Sequence, residues 1–424
     1  MLLRFEFKNF KSFKNSATLD FIAAKEVGLE NGVVCNGGEY VLPVAAIYGA
    51  NASGKSNVYS AFEYMSIYVI ESFGYGDSTS KEKENFLLND SLRTFAFSDD
   101  SDNEGTSFEV YFTVPGDDHT YNYGFCVDND RIIEEWLNVK ARTARKYRTI
   151  FYRTADTLDL SGLPRNSRKN VEIALEKKVL VVSLGAKLKI GICKDIRNWF
   201  WKNEFADFGD AFNNALMARL LPQGFTEDKK IQQRIVEYLS SFDDSIKGFS
   251  VEKVLVEDED EERYRINTLH EKINSTEFVE IPLRNESAGT QKMFSLYQDL
   301  YSVLMCGSVF WIDELNARLH PLLVRKILLM FLNPKININN AQLVFTSHDI
   351  WQLKNSGLRE DEIWFTEKDA DGISSLYSLV DFNGEIKNLE NIEEDYAIGR
   401  FGAIPILKEF NMAIVENTNE EKQA

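Results

Sequence analysis

The sequence VAAIYGANASGKSNV, residues 44–58, decides the fold. Its apolar start predicts a buried strand, and NVYSAFEYM at its end predicts a helix. Between them stands Gly-x-x-x-x-Gly-Lys-Ser, the pattern of a phosphate-binding P-loop in its required strand–loop–helix context, which a chance glycine-rich turn would lack. The glycines bring backbone N–H groups close to phosphates and the lysine adds a positive charge. We predict a nucleotide site at Gly49, Asn51, Ala52, Ser53, Gly54, Lys55, Ser56 and Asn57.

The composition excludes several classes of protein. The chain has 424 residues, 44% of them hydrophobic, and a net charge of −18, so phosphate backbones should be repelled unless a local basic patch prevails. Its four cysteines form no C-x-x-C pair and have no histidine cluster beside them, which predicts reduced thiols rather than zinc ligands. We find no signal peptide and no membrane-spanning run, and we expect a cytoplasmic protein that does not contact a membrane.

Periodicity divides the chain into three parts. Residues 1–153 predict N-terminal strands, the P-loop and an antiparallel β-meander formed by FEVYFTV, YNYGFCVD and RIIEEWLNVKAR. Residues 154–245 carry apolar residues at three- and four-residue spacing, which predicts a helical insert without the sustained heptads of a long coiled coil. Residues 246–424 return to strands around EDEDEE, an acidic run that we interpret as a solvated hairpin tip rather than a metal site.

A small-residue turn opens a helix in the C-terminal part. The turn is Ser287, Ala288, Gly289 and Thr290, and apolar residues continue from it at helical spacing. A helix N-terminus with a hydroxyl and exposed amides can bind an anion, but the same residues also make an ordinary helix cap. The residues alone leave both interpretations open.

Two further strands end in polar residues. SVFWIDEL predicts a buried strand with Asp313 and Glu314 at its carboxyl end, where Asp313 and Ser56 would hold Mg²⁺ and Glu314 would orient or deprotonate a water. AQLVFTSHD predicts another strand, followed by His348, which could hydrogen-bond a γ-phosphate or the water. A lone histidine there would more often be structural. DEIWFTEK and ISSLYSLV predict a pair of edge strands.

The order of these motifs resembles the ABC-type ATPase head of SMC-like and OLD-family proteins, and more closely the AAA-type, abortive-infection-like ATPases of bacterial defence loci. The resemblance covers nearly the whole chain, from FEFKNFKSF through GANASGKSN, NESAGTQK, WIDELNARLHP and VFTSHD to YAIGRFGAIP. It implies an α/β fold: an ABC-ATPase head with a mixed central sheet, an antiparallel β-subdomain and a helical insert.

The resemblance also implies roles for the motifs. Residues 49–57 correspond to the Walker A loop, 310–314 to Walker B with a catalytic Glu314, 286–291 to the ABC signature, 316–320 to the D-loop, and His348 to the switch histidine. In such ATPases two heads enclose two ATP molecules with Mg²⁺, and the signature of one head contacts the γ-phosphate held by the other. Binding would thereby be linked to homo-oligomer closure.

This sequence departs from the family pattern at two places. No glutamine occurs between Asn57 and Pro222, so either the Q-loop role passes to another residue such as Asn85 or Asn89, or the switch is built differently. The signature reads SAGT rather than SGGQ, which leaves its phosphate contact to Ser287 and Gly289. We therefore expect slow turnover.

The resemblance implies an ATPase subunit of an anti-phage system. In this hypothesis the homo-oligomer holds a separate toxic effector, such as a TOPRIM or HNH nuclease, inactive until a phage-encoded trigger arrives. We expect the effector to be another chain, because ILKEFNMAIVENTNEEKQA, which follows YAIGRFGAIP and ends in a polar tail, is too short for a second catalytic domain. The alternative is a RecF-like DNA-repair ATPase whose dimer clamps DNA. The candidate segment for contacting DNA is KARTARKYRTIFYR, residues 140–153. The ordinary interpretation of the same segment is a solvated strand and loop.

Overall fold

The fold is arranged in layers around the helix that follows the P-loop. The computed structural model describes residues 1–29, 32–36, 38–76, 93–210, 221–254, 263–382 and 391–405. The α-helices are α1 (Lys55–Glu71), α2 (Ser101–Glu104), α3 (Arg165–Ala174), α4 (Val181–Lys187), α5 (Gly191–Trp201), α6 (Lys229–Ser240), α7 (Ala288–Cys306), α8 (Pro321–Leu332), α9 (Trp351–Asn355) and α10 (Ile392–Ala397). Short 3-10 helices occur at Lys25–Val27, Ser72–Gly76, Leu283–Asn285, Glu360–Glu362 and Leu379–Asp381.

Four sheets contain the described strands. These strands are β1 (Leu2–Lys8), β2 (Ala17–Asp20), β3 (Val34–Asn36), β4 (Glu39–Val41), β5 (Val44–Gly49), β6 (Thr106–Thr113), β7 (His119–Val127), β8 (Ile132–Ala141), β9 (Arg148–Thr154), β10 (Leu158–Asp159), β11 (Glu204–Asp207), β12 (Ile246–Val254), β13 (Arg263–Glu271), β14 (Phe278–Pro282), β15 (Val309–Asp313), β16 (Gln342–Thr346), β17 (Ile363–Lys368) and β18 (Ser374–Ser378).

The first sheet is antiparallel and contains the predicted meander. Its strand order is β10-β9-β8-β7-β6-β1-β2, so consecutive strands β6 to β10 lie side by side. In β1 the residues Leu3, Phe5 and Phe7 are buried, while the residues between them face outward. The strict alternation in the sequence arises because only one face of this sheet is covered.

The second sheet is mixed and carries the P-loop strand. Its order is β11-β15-β16-β5-β17-β18, with β18 antiparallel to five parallel strands. Every residue of β5, β15 and β16 is buried, as expected for strands covered on both faces. The prediction that β17 and β18 are both edge strands is wrong for β17, which pairs with β5 as well as with β18.

Helix α1 lies between these two sheets. Its Phe62 ring stacks on Trp311 of β15 at a centroid distance of 4.5 Å and meets Phe5 of β1 edge-on at 5.1 Å. The helix is buried on most of its surface, which fits its nearly continuous apolar sequence. One helix therefore joins the antiparallel sheet to the strand that carries the predicted Walker B acids.

The described helices between residues 154 and 245 do not share a core of their own. Residues of α3, α4 and α5 belong to the hydrophobic cluster of the antiparallel sheet, and α6 belongs to the cluster around the mixed sheet. Between them β11 joins β15 as a parallel strand, although the sequence predicted helix throughout this segment. The strand is missed because four residues are too few for a periodic signal.

The remaining described strands form two smaller sheets. Strands β12, β13 and β14 make an antiparallel sheet that the sequence predicted only in part, and β3 pairs with β4. The acidic run EDEDEE and the two asparagines proposed for the Q-loop role, Asn85 and Asn89, lie outside the described residues. Those predictions therefore stay predictions, as do the boundaries between the three parts of the chain.

Candidate functional site

The loop between β5 and α1 turns sharply at Gly54, immediately before the helix. The φ of Gly54 is 115°, and a Cβ placed there would lie 2.7 Å from the Ser374 hydroxyl oxygen. Glycine is therefore required both for the backbone conformation and for the close approach of β18. Since β5 ends at Gly49 and α1 begins at Lys55, the loop places the N-terminus of α1, with the N–H groups of its first turn, beyond the end of β5. This is where an anion is stabilised.

Lys55 lies over this loop and is largely buried. Its Nζ donates hydrogen bonds to the carbonyl oxygens of Gly49 and Ala50, both at 2.9 Å. Burial lowers the pKa of Lys55 to about 8, while the nearby charges of Asp313 and Glu314 act in the opposite direction. The ammonium group is thus held at the end of β5 by weak neutral acceptors, which a phosphate can replace.

Two consecutive acids lie at the carboxyl end of β15, and the hydroxyl of one threonine hydrogen-bonds to both residues. Asp313 is buried, and Glu314 follows the strand with a positive φ of 53°. The Thr346 hydroxyl donates to Asp313 Oδ1 and accepts from the Glu314 N–H at 2.8 Å. Because Thr346 ends β16, which lies between β15 and β5, the acids are one strand away from the P-loop strand rather than directly beside it.

His348 lies just beyond β16. Its backbone N–H and the Ser347 hydroxyl both donate to Asn316 Oδ1, at 3.2 and 3.0 Å. Asn316 belongs to the predicted D-loop, so this segment fixes the turn that carries the histidine. Burial lowers the pKa of His348, and the positive charge of Lys55 lowers it further, so the imidazole is neutral at pH 7.

One cavity of about 460 Å³ brings most predicted site residues together. It is lined by Asn51, Ala52, Gly54, Lys55, Ser56, Asn57, Glu314, His348 and Lys368. All come from the carboxyl ends of neighbouring parallel strands or from the P-loop, the edge where open α/β sheets bind ligands. Lys368, at the end of β17, was not predicted.

The residues at this edge fit ATP and Mg²⁺. The backbone at Gly54 has no room for a side chain, because a Cβ would collide with Ser374. Lys55 supplies a positive charge for the phosphates. The Ser56 hydroxyl and the Asp313 carboxylate are the hard oxygen donors that would hold Mg²⁺. The ion, when bound, neutralises charge on the phosphate oxygens. Glu314 and His348 line the same cavity as potential proton-transfer and hydrogen-bonding groups.

The predicted signature turn lies elsewhere in the same chain. The Ser287 hydroxyl caps α7 by accepting from the Thr290 N–H at 3.1 Å, and it also pairs with the Thr290 hydroxyl at 2.8 Å. Ser287, Gly289 and Thr290 border a separate cavity of about 200 Å³ that contains no P-loop residue. Ala288 begins the helix itself. The structure therefore does not bring residues 287–290 to the P-loop of their own chain.

Several polar residues near the predicted site were missed by the sequence analysis. Ser374 donates to the backbone carbonyl of Ser53 at 2.7 Å, and Thr366 pairs with the Ser53 hydroxyl at 2.6 Å. Asp207 pairs in register with Asp313, and its pKa is raised by burial and by the charge of Asp313. These residues come from strands that are distant in sequence, so only the pairing of strands reveals them. Thr346 could have been identified from the sequence, because it lies in the predicted strand AQLVFTSHD, two residues before His348.

Lys292 on α7 is also close to the acids. It donates to the Ala317 carbonyl oxygen at 2.8 Å, and its Nζ lies 3.4 Å from the centre of the Phe208 ring. Burial lowers the pKa of Lys292 to about 7, and the charge of Arg318 lowers it further, against the effect of Asp207 and Glu314. Lys292 thereby connects α7, the helix that follows the predicted signature turn, to the segment just after Asp313 and Glu314 in the same chain.

The structure changes the interpretation of residues 140–153, the basic segment that we considered as a DNA contact. Arg153 is buried and donates to the Val179 and Glu176 carbonyl oxygens, so it has a structural role, and Phe151 is fully buried. Tyr152 donates to Glu134 at 2.6 Å. The exposed basic and aromatic members of that segment are Arg142, Arg145, Lys146, Tyr147, Arg148 and Tyr152, with Lys140 partly exposed.

Comparison with protein families shows which family this chain matches. The family described as "AAA domain, putative AbiEii toxin, Type IV TA system" matches residues 44–350. This range contains the P-loop, the turn before α7, both acids of β15 and His348. The resemblance to AAA-type abortive-infection ATPases that the motifs indicated is confirmed by this match. No curated protein matches the sequence.

Solved structures give weaker similarities. An SMC head domain from Thermotoga maritima is 14% identical, with a TM-score of 0.39, over 89% of this chain and 98% of that one. A SmcHead bound to the C-winged helix domain of ScpA gives the same identity and TM-score over 89% of this chain and 97% of that one. Within the described residues, no helix combines the length and apolarity needed to cross a membrane.

Proposed function

This chain belongs to the AAA-domain family whose description names an AbiEii toxin and a type IV toxin–antitoxin system, and we propose that it binds and hydrolyses ATP with Mg²⁺. One observation carries the proposal. Lys55, Glu314 and His348, from three different elements of the mixed sheet's carboxyl edge, line a single cavity together with the P-loop. A cation, an acid and a neutral imidazole around a phosphate-binding loop are the groups that phosphoanhydride hydrolysis requires.

Each residue has a proposed role in that reaction. The P-loop N–H groups and Lys55 bind the β- and γ-phosphates. Glu314 accepts a proton from the attacking water, and Thr346 holds Glu314 and Asp313 in position through its two hydrogen bonds. His348, kept neutral by burial and by Lys55, donates a hydrogen bond to the γ-phosphate, or exchanges one with the water as donor or acceptor.

We propose that the ATP site is completed by a second copy of the chain. Ser287 and Gly289 lie at a helix N-terminus, as a phosphate ligand would require, yet they border a cavity without P-loop residues. A phosphate bound by the Lys55 loop can meet such a turn only if another protomer supplies it. Each ATP would then bridge two protomers, which links nucleotide occupancy to oligomer closure.

The direct test of catalysis is phosphate release by the purified protein with ATP and Mg²⁺. We expect slow turnover by the wild type and loss of ATP binding in Lys55→Ala, because the main charge facing the phosphates is removed. Lys354→Ala, which removes an exposed lysine outside the cavity, is the matched control and should keep both properties. ATP binding of equal strength in Lys55→Ala and the control would contradict the proposal.

At the cellular level we propose a cytoplasmic ATPase subunit of an anti-phage, abortive-infection system that controls a separate toxic effector. The support is the family description, which links such domains to a toxin–antitoxin system. The same description favours a second candidate, in which this chain is itself the toxic component. Expression of the chain alone and together with its neighbouring gene product separates the two. Toxicity of the neighbour that this chain suppresses supports the first, and toxicity of this chain alone supports the second.

A further inference from the structure

The charges of this chain are unevenly distributed. Residues 131–202, all of them described, contain 17 lysines and arginines against 7 aspartates and glutamates, a net charge of +10. Because the whole chain carries −18, the remaining residues carry −28. This segment comprises β8, β9, β10 and helices α3 to α5, which pack together on the antiparallel sheet. A strongly acidic protein therefore has one basic region, which attracts polyanions despite the overall charge.

The basic region contains a groove at its helical end. The groove has a volume of about 880 Å³ and lies between α4, α5 and the segment after α1. Four cations, Lys187, Lys189, Lys194 and Arg197, line it with a single acid, Asp195. In the part of the chain that the structure describes, no carboxylate lies within ion-pair distance of the three lysines. Their charges are available to an external anion.

Two exposed aromatic rings accompany these cations. Phe73 is 39% exposed, and the Lys187 Nζ lies 4.5 Å from the centre of its ring. Trp201 is 64% exposed at the end of α5, and the Arg197 guanidinium lies 5.8 Å from its ring centre. The neighbouring Trp199 and Phe200 are buried, so Trp201 is not part of the hydrophobic core. Exposure of so large an apolar ring next to a basic groove indicates a contact surface.

We propose that this surface, the groove together with Phe73 and Trp201, binds single-stranded nucleic acid. Cations along a groove contact phosphates, and exposed aromatic rings stack with unpaired bases of any sequence. The carboxylates of an acidic protein segment would use the cations, but they are not rings that stack on Trp201. A duplex would contact the cations too, but its bases are stacked within the helix and cannot reach the rings.

The surface is separate from the ATP cavity. Arg197 donates from Nε to the Ile70 carbonyl oxygen at 2.9 Å, which places the groove at the C-terminal end of α1. The P-loop and Lys55 are at the other end of that 17-residue helix, about 25 Å away. Nucleic-acid binding here goes beyond the proposed ATPase function and does not depend on it. The Lys55→Ala protein should bind the same oligonucleotide with unchanged affinity.

The experiment is fluorescence anisotropy of the full-length, ATP-free protein with a labelled oligothymidylate of about 20 nucleotides at several salt concentrations. Lys187→Glu with Lys194→Glu should weaken binding at least about tenfold at 0.1 M salt and reduce the slope against salt by roughly 0.7 for each phosphate that the variant no longer neutralises. Trp201→Ala should weaken binding roughly tenfold with an unchanged slope, because stacking releases no counterions. Thermal unfolding checks that each variant is folded.

The matched control is Lys229→Glu with Lys335→Glu, which makes the same change in net charge outside the basic region. Binding weakened equally by the control and by the groove variants would overturn the proposal, as would failure of the wild type to bind. Competition by polyglutamate as effective as that by unlabelled oligothymidylate, with no effect of Trp201→Ala, would show a surface for acidic proteins instead. Duplex bound as tightly as the single strand would also contradict the stacking role.

Discussion

The P-loop edge of the mixed sheet and the turn before α7 are both anion-binding geometries, but only one of them is complete within a chain. At the P-loop edge, the loop and helix after β5, the residues just beyond β15 and β16, and the last residue of β17 converge on one cavity. The Ser287 turn has a capped helix N-terminus but borders a cavity whose lining is largely apolar, including Leu239, Phe242 and Met293, and whose single charged lining residue in the described part of the chain is the acid Asp243. The first cavity has cations among its lining residues, and the second has none among the residues described.

This difference indicates how the reaction would be controlled. If the Ser287 turn contacts a partner's phosphate, as we propose, a single chain can bind ATP alone but completes the site only by association. Four predictions test this contrast, from the largest expected effect to the smallest.

Glu314→Gln should slow hydrolysis by about 10²- to 10⁴-fold, because the amide cannot accept the proton of the attacking water. ATP binding should be kept, since the P-loop and Lys55 are unchanged. Single-turnover phosphate release and equilibrium ATP binding measure the two effects separately. Glu367→Gln, an exposed glutamate on β17, is the control, and hydrolysis slowed equally in both variants would remove Glu314 from its proposed role.

Gly289→Leu tests whether the signature turn is approached from outside. A Cβ at Gly289 would meet its nearest atoms at 3.8 and 3.9 Å, in ordinary contact, so a side chain at the start of α7 can be accommodated within one chain. If a partner's phosphate must come close, hydrolysis should fall on the order of a hundredfold while the thermal unfolding midpoint is kept. Gly289→Ala, the smaller change, should show a smaller loss of rate.

Mixing variants sharpens that test. Lys55→Ala and Gly289→Leu proteins are each inactive alone, but a mixed dimer contains one site with an intact P-loop and an intact opposing turn. An equal mixture should therefore recover about a quarter of the wild-type rate if protomers exchange freely. No recovery, with exchange shown by a separate label, would mean that both residues act in the same chain.

Thr346→Val should slow hydrolysis by roughly ten- to a hundredfold. Valine has the same shape but removes the donor to Asp313 and the acceptor of the Glu314 N–H, hydrogen bonds worth about 1.5–3 kcal/mol when one partner is charged. Thr346→Ser keeps the hydroxyl and should retain most of the rate. Equal rates in the valine and serine variants would show that Thr346 does not position the acids.

The pH dependence of ATP affinity should show the titration of Lys55. Its pKa of about 8 in the nucleotide-free protein lies below that of a free lysine, and bound phosphates raise it again. Affinity should therefore be constant below pH 8 and fall by about tenfold per pH unit above it. Binding measured between pH 7 and 9.5 in the Glu314→Gln protein, which avoids hydrolysis, tests this. An affinity that rises over this range would contradict the burial of the lysine.

The same contrast explains which parts of the site could be predicted from sequence. Lys55 and the paired acids Asp313 and Glu314 were predictable because each follows a short buried strand, and the local pattern defines both the element and its polar end. The α/β fold with a mixed central sheet was implied by the family resemblance that the order of these motifs carries, and the alternation in the meander predicted its antiparallel strands. The local patterns are each contained within about ten consecutive residues.

What was missed depends on strand pairing. Lys368 and Ser374 reach the P-loop only because β17 pairs with β5, and Asp207 reaches Asp313 only because β11, predicted as helix, is a strand of the mixed sheet. The basic segment, residues 140–153, was misinterpreted for a related reason. Arg153 counted as a surface cation in the sequence, but the pairing of β8 with β9 places it 3.9 Å from the buried Glu135.

The most direct test of the central claim is the solution mass of the Glu314→Gln protein with and without ATP and Mg²⁺. If one chain binds the triphosphate and another completes the site, saturating ATP should shift the protein to a species with an even multiple of the 48.6 kDa chain mass. The shift should disappear when Lys55→Ala is added. A mass that stays the same at saturating ATP, with binding shown independently, would contradict a site shared between protomers.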